Sequence, residues 1–384
     1  MNKVIINLDA LNHNFQIINK WIKQHGGSWT LVTKVLCGHS DTLKALQQLG
    51  VQSMGDSRLS NLRAIERIIP DFEAWYLRLP HLSVIRDVVS LADVSLNSET
   101  EVIESLNAEA RKQDKVHRVI IMIELGDLRE GVLPGSLVKF YDHVFQLSNI
   151  EVLGIGANLA CLSGTVPSID QLTQLILYRE LLELKFGRKL PLISAGSSVV
   201  LPLLLDGRVP KAMNHFRIGE AVFLGTDLVN GGTLKNLRDD AVLLEAEIAE
   251  IKEKSLIPMG ETTARTPFEI VNDTDVSPGQ RGYRALLTVG QLDTEVSGLT
   301  TMEASHQIAG ASSDLIVVNI GEDAGGLSIG DTMKFKLNYS ALLRLMAGKY
   351  LVKVLQPNID DFLGDHEEDG LVVPPVLDQV DSRY

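Results

Sequence analysis

From Val4 to about Gly225, short runs of apolar residues alternate with longer stretches in which apolar positions recur every three or four residues. The short runs predict strands at Val4 to Leu8, Trp29 to Thr33, Val51 to Met54, Ala74 to Leu77, Val94 to Leu96, Arg118 to Leu125, Val152 to Asn158, Pro191 to Ser194 and Phe216 to Leu224. The periodic stretches predict helices at Asp9 to His25, Ser40 to Leu49, Ser57 to Ile69, Ser98 to Gln113, Pro134 to Ser148, Ile169 to Phe186 and Ser198 to Leu205. Strands that alternate with helices imply a parallel sheet with crossover connections. Roughly eight such units over about two hundred residues suit a closed (β/α)₈ barrel of the TIM type. The first strand is not followed by G-x-G-x-x-G, which disfavours an open dinucleotide-binding sheet.

After about Gly232 the texture changes. Val242 to Ile251, Arg284 to Val289, Leu315 to Ile320 and Thr332 to Lys336 are β-like runs punctuated by Gly and Pro, and helical periodicity returns only at Tyr339 to Met346. The expected architecture is a barrel over 11–235, a β-domain made from 1–10 and 236–355, and an acidic tail over 356–384. The tail carries Asp360, Asp361, Asp365, Glu367, Glu368 and Asp369 ahead of Pro374 and Pro375.

Composition narrows the partners. A formal net charge of −13 disfavours phosphate backbones, so nucleic acid is not expected. No apolar stretch long enough to span a bilayer is found, and no charged-then-apolar leader opens the chain. The two cysteines, Cys37 and Cys161, lie far apart without metal-ligand spacing, which suits a reducing cytoplasm.

Barrel enzymes carry their chemistry at the C-terminal ends of the strands. Lys34 closes the run Trp29 to Thr33 and shares a strand face with Val32, so inside a barrel its amine is expected to point inward. Such a lysine is paired with a carboxylate or has its pKa lowered for Schiff-base chemistry, the bland alternative being a strand-end lysine that reaches solvent. Gly196-Ser197-Ser198 precedes a helix and Ile218-Gly219-Glu220 offers further backbone N–H groups, two candidate phosphate cradles; Ser198 as a plain N-cap and Gly219 as a plain turn residue are the alternatives. A lysine, a cradle and two arginines, Arg129 and Arg217, suggest pyridoxal phosphate.

Several segments also resemble a known family. Ile6-Asn7-Leu8-Asp9-Ala10-Leu11-Asn12-His13-Asn14 is similar to the start of alanine racemase, and Val32-Thr33-Lys34-Val35-Leu36-Cys37-Gly38-His39 is similar to its cofactor-lysine motif. The stretches Ile123 to Gly131, Gly154 to Cys161, Asn214 to Glu220, Gly310 to Asp314 and Asn338 to Leu343 look closer to the ornithine racemase branch. The resemblance runs in order from Val4 to about Leu355 and leaves out the tail.

What it implies is a pyridoxal-phosphate-dependent amino-acid racemase acting on ornithine, lysine or a similar amino acid, and working as a homodimer with shared active sites. Lys34 would bind the cofactor aldehyde and act as one of two acid/base groups. Arg129 would donate to the cofactor's phenolic oxygen or to the substrate carboxylate. Asn158 would lie beside the ring, where alanine racemase has a histidine, and Arg217 would face the pyridine nitrogen. Ser197, Ser198, Ile218, Gly219, Glu220 and Tyr339 would hold the phosphate. The family's second base is a tyrosine of the partner's β-domain, whereas the matching stretch Ile257-Pro258-Met259-Gly260-Glu261-Thr262-Thr263 has none and Tyr283 reads equally well as a packed strand residue. Asp293, Glu303 and Asp314 are candidate partners for a basic side chain. The alternatives are a decarboxylase or aldolase on the same fold, or a non-catalytic pyridoxal-phosphate-binding protein.

Overall fold

Eight parallel strands, β2 (Ser28–Val32), β3 (Ser53–Asp56), β4 (Glu73–Tyr76), β5 (Val94–Asn97), β6 (His117–Met122), β7 (Ile150–Gly156), β8 (Leu192–Gly196) and β9 (His215–Ile218), close into a barrel in chain order. The closure is direct: Ser28 to Leu31 of β2 pair in register with His215 to Ile218 of β9. The computed structural model describes residues 1–258, 260–261 and 279–367.

Helices α1 (Leu8–His25), α2 (Ser40–Gln48), α3 (Leu59–Ile68), α4 (Ile85–Leu91), α5 (Thr100–Lys112), α6 (Leu137–Val144), α7 (Ile169–Phe186), α8 (Leu201–Leu205) and α9 (Glu220–Leu224) connect or flank these strands. On α1 the buried side chains Leu11, Phe15, Ile18 and Ile22 fall at helical spacing, so one stripe of the helix is buried and the other meets water. Ser168 and Gln171 form a reciprocal capping box that starts α7, and Gly187, at φ 62°, ends it.

The barrel interior has an apolar half and a polar half. Trp75, Val94, Leu96, Ile120 and Met122 pack together with Leu77, Leu153 and Leu192. Opposite them Thr30 bonds Ser53 at 2.9 Å and His215 at 3.2 Å, and His215 Nδ1 meets Ser194 Oγ at 2.8 Å. The Trp75 ring stacks on His215 from three strands away, which is only possible across the interior. Burial holds His215 neutral, its pKa drawn down to about 3, so the ring serves as a packed hydrogen-bonding wall.

The chain divides into two compact units, one of them Asn12–Leu237 with the barrel together with the segment that starts at Gly364, the other Met1–Leu11 and Arg238–Leu363. The second is built on β10 (Val242–Ser255), which pairs antiparallel with β1 (Lys3–Asn7), β11 (Arg281–Leu287) and β15 (Thr332–Leu337). Strands β12 (Leu299–Thr301), β13 (Gln307–Ala311) and β14 (Ile316–Gly321) extend the sheet, and β16 (Val352–Gln356) runs parallel to β1. The remaining helices are α10 (Tyr339–Ala347) and α11 (Ile359–Glu367). The first part of the expected tail is therefore the end of β16 and helix α11, and residues 368–384 lie outside the described residues.

One expected element is corrected: the strand Phe216 to Leu224 is the short β9 followed by helix α9. Gly219, at φ −136° and ψ −65°, breaks the strand between them. A continuous apolar run carries no period that tells strand from helix.

Candidate active site

Lys34 stands just past the end of β2. The strand stops at Val32, Thr33 ties back to β3 through its amide on Gly55 O at 2.9 Å, and a 3₁₀ turn runs from Lys34 to Leu36. Val35 and Leu36 are buried under that turn, while Lys34 itself is exposed. The lysine thus rises from the C-terminal mouth of the barrel instead of pointing into its packed interior, because the turn begins at the residue where a longer strand would have turned inward. Cys37 at φ 50° and Gly38 at φ 76° bring the chain out toward α2.

Asp56, which ends β3, fixes this turn from below. Its carboxylate accepts from Thr33 Oγ1 at 3.2 Å, from Arg58 N at 2.9 Å and from Asn61 Nδ2 at 3.1 Å. Burial pushes its pKa up to about 6 against the pull of these donors.

The two expected cradles stand together. Ser198 is buried and begins a 3₁₀ turn after β8, and its Oγ accepts the Ala221 amide at 3.2 Å, which links the loop after β8 to the start of α9. A Cβ on Gly196 would stand 2.1 Å from the Phe216 ring, and one on Gly219 would stand 2.7 Å from Val32 O. Both glycines let backbone approach where a side chain could not, and Gly219 does so against the strand that leads to Lys34. Ser197 caps the turn after β8 and Ile218 ends β9. Glu220, first residue of α9, has its pKa raised by burial while the charge of Lys34 pulls the other way, so the two face each other electrostatically.

Arg217 is buried on β9, and its two terminal nitrogens are held by acceptors on β8 and in the loop after β7. Nη1 donates to Ser194 O at 2.6 Å, and Nη2 donates to Ala157 O at 2.9 Å and to Asn158 Oδ1 at 2.6 Å. Burial lowers its pKa to about 10, opposed by Cys161 and Glu130, so the guanidinium keeps its charge at neutral pH. Asn158 in turn donates Nδ2 to Glu130 Oε1, and Glu130 Oε2 pairs with Arg129 Nε at 2.9 Å.

Arg129 reaches this position because the loop after β6 folds back sharply. Glu124 Oε1 accepts the amides of Gly126 and Leu128 at 2.7 and 3.0 Å, and Val132 N returns to Met122 O at 2.7 Å. Buried Asp127 then fastens the loop after β7 by accepting the amides of Leu162 at 3.2 Å and Ser163 at 3.1 Å. Asp56, Asp127 and Glu130 had no role in the sequence reading. Their roles depend on loops distant in sequence, and only the adjacency of Glu130 to Arg129 could have drawn notice.

Tyr339 opens α10 in the β-rich unit and is half-buried. Tyr283 lies in β11 opposite Glu253. Of the stretch Ile257 to Thr263, Met259, Thr262 and Thr263 lie outside the described residues. Asp293 accepts the Gly290 amide at 3.0 Å, and Asp314 accepts from Ser313 Oγ at 2.6 Å, so both serve local turns; Glu303 is exposed.

The donor set fits pyridoxal phosphate. A primary amine stands just past the end of β2, the turn after β8 and the start of α9 carry backbone N–H groups suited to a phosphate, and buried Arg217 supplies a permanent cation on β9. Among the described residues no helix is long and apolar enough to cross a membrane.

A closed eight-stranded barrel with its candidate residues at the strand ends, in a chain that also carries a β-rich unit, defines the class at the level of the fold. A sequence model of the alanine racemase N-terminal domain matches residues 6–227. The chain is 33% identical to ornithine racemase of Acetoanaerobium sticklandii over 358 residues, covering 92% of this chain and 99% of that protein. It is 30% identical to lysine racemase of Thermotoga maritima over 359 residues, covering 93% and 99%. Alanine racemase of Streptomyces coelicolor A3(2) shares the fold at a TM-score of 0.69 and 19% identity, with 92% of this chain and 97% of that one covered. The chain belongs to the alanine racemase family of amino-acid racemases.

Proposed function

We propose that the protein racemises a basic amino acid of the ornithine or lysine kind with pyridoxal phosphate as cofactor. The observation that carries the reading is the convergence, at one mouth of the barrel, of Lys34, the glycine-shaped phosphate cradle and the buried Arg217. The basic substrate is supported by the activities of the two relatives that match nearly the full chain.

Bound pyridoxal phosphate supplies an aldehyde for the lysine or substrate amine and a ring that makes the substrate Cα–H acidic. Lys34 would hold the aldehyde carbon in the resting enzyme, then remove or return a proton at Cα on one face. Arg217, charged and unable to accept a proton, would donate to the pyridine nitrogen and leave it unprotonated. An arginine in that place would favour return of the proton to Cα over side reactions. Arg129 would donate to the phenolic oxygen or the substrate carboxylate, Asn158 would stand beside the ring, and Ser197, Ser198, Ile218, Gly219, Glu220 and Tyr339 would hold the phosphate. Inversion needs a second proton-transfer group on the opposite face, which the reading places in the partner subunit of a homodimer. Cys37 and Cys161, which form no disulfide with each other, fit a cytoplasmic protein.

The test is incubation of the purified, cofactor-loaded protein with single enantiomers of ornithine, lysine and alanine, followed by chiral chromatography. Interconversion of the ornithine or lysine enantiomers is the expected result, with a dimeric mass in light scattering. Amine or aldehyde release without interconversion would replace the reading with a decarboxylase or aldolase, and cofactor binding without turnover would leave a binding protein.

A further inference from the structure

Glu130 is nearly buried, with 11% of its side chain exposed, and it spends its two oxygens on two different partners. Oε2 pairs with Arg129 Nε at 2.9 Å and Oε1 accepts from Asn158 Nδ2. Asn158 Oδ1 then accepts from Arg217 Nη2 at 2.6 Å. Hydrogen bonds run from Arg217 through Asn158 to Glu130, and an ion pair joins Glu130 to Arg129, whose Nε also stands 3.5 Å from Asp127 Oδ2. Arginine can only donate, so Asn158 turns its oxygen to Arg217 and its nitrogen to Glu130, which accepts from Asn158 and pairs with Arg129.

We propose that Glu130 is a positioning residue that sets Arg129 and, through Asn158, Arg217 for the cofactor. The proposal rests on the reading of those two arginines as cofactor contacts. Set between Arg129 and Asn158, Glu130 also helps Asp127 to offset the repulsion between Arg129 and Arg217. The device explains why an amide suits position 158: it is the group that can accept on one side while donating on the other.

Exchange of amide and carboxylate tests this without changing the size of either side chain. In Glu130→Gln the amide can accept from only one neighbour and presents N–H to the other, so a link breaks. In Asn158→Asp two carboxylates face each other. In the double variant Glu130→Gln/Asn158→Asp the order is restored: the carboxylate now at position 158 accepts from Arg217 and from the amide nitrogen now at position 130, and the amide oxygen at position 130 accepts from Arg129. Each single variant is expected to raise the dissociation constant of pyridoxal phosphate about tenfold, the scale of one lost charge-assisted hydrogen bond. Each is also expected to shift the pH titration of the bound cofactor's visible absorbance. The double variant should recover most of both, a pattern that a merely structural role, read by thermal unfolding without cofactor, would not reproduce. Unaltered binding and titration in Glu130→Gln, or additive losses in the double variant, would overturn the proposal. Failure of the unaltered protein to bind pyridoxal phosphate would instead overturn the function reading, and with it the role assigned to Glu130.

Discussion

Thr33, the residue before Lys34, donates its hydroxyl to Asp56 Oδ2 at 3.2 Å, which fastens the lysine turn to the neighbouring strand. Because burial raises the pKa of Asp56 to about 6 from 3.8, the folded protein holds a proton on this group more tightly than the unfolded chain does. The associated stability is complete below the unfolded pKa and is lost as pH rises through the folded one. Between about pH 4 and pH 6 the cost of ionising Asp56 should therefore reach at most about 3 kcal/mol. Urea titrations of the protein and of Asp56→Asn across that range check this: the difference between their unfolding free energies should change with pH. A difference independent of pH would show that Asp56 titrates normally.

The buried histidines act in the opposite direction. Burial, aided by Arg118 and Lys115, lowers the pKa of His117 to about 4, and burial lowers that of His215 to about 3. A depressed base contributes stability above its unfolded pKa and loses it as pH falls through the folded value. Melting temperature should accordingly fall between about pH 6.5 and pH 4, each pKa unit being worth about 1.4 kcal/mol. His117→Gln, which can keep a contact to Ser95, should flatten part of that decline in a calorimetric pH series. An unchanged slope would assign the acid sensitivity elsewhere.

Much of the fold was legible because barrel strands and their helices differ in hydrophobic period. Helix α4 was missed because Ile85–Leu91 is too short to establish a period, and α9 was absorbed into a strand because Phe216 to Leu224 is apolar almost throughout. Of the candidate site, the positions of Lys34, Ser198 and Gly219 at strand ends were readable from the alternation of strands and helices. The chain Arg129, Glu130, Asn158, Arg217 was not, since which atoms meet depends on how the loop after β6 folds back over the end of β7. A charged pair adjacent in sequence looks the same whether it faces solvent or another loop.

Gly219 should be intolerant of any side chain. The Cβ of Gly219→Ala would stand 2.7 Å from Val32 O, so the backbone must shift where α9 begins. The phosphate cradle then loses its alignment. The variant should bind pyridoxal phosphate about tenfold or more weakly, by analogy with the loss of a charge-assisted hydrogen bond. Pyridoxal without phosphate should bind it nearly as well as it binds the unaltered protein. Equal weakening for both compounds would assign Gly219 to the fold of the barrel and not to the phosphate.

Arg217→Lys separates charge from geometry at the pyridine position. Lysine keeps the positive charge but cannot reproduce a fork that reaches Ser194 O, Ala157 O and Asn158 Oδ1 at once. Buried acceptors left without a donor cost about 1–3 kcal/mol each, so the variant should unfold at distinctly lower urea. If the guanidinium also donates to the cofactor ring, racemisation should fall further than cofactor occupancy does. The ratio of chiral conversion to bound pyridoxal phosphate, measured on one preparation, gives that comparison. A proportional fall of both would confine Arg217 to holding the barrel mouth together.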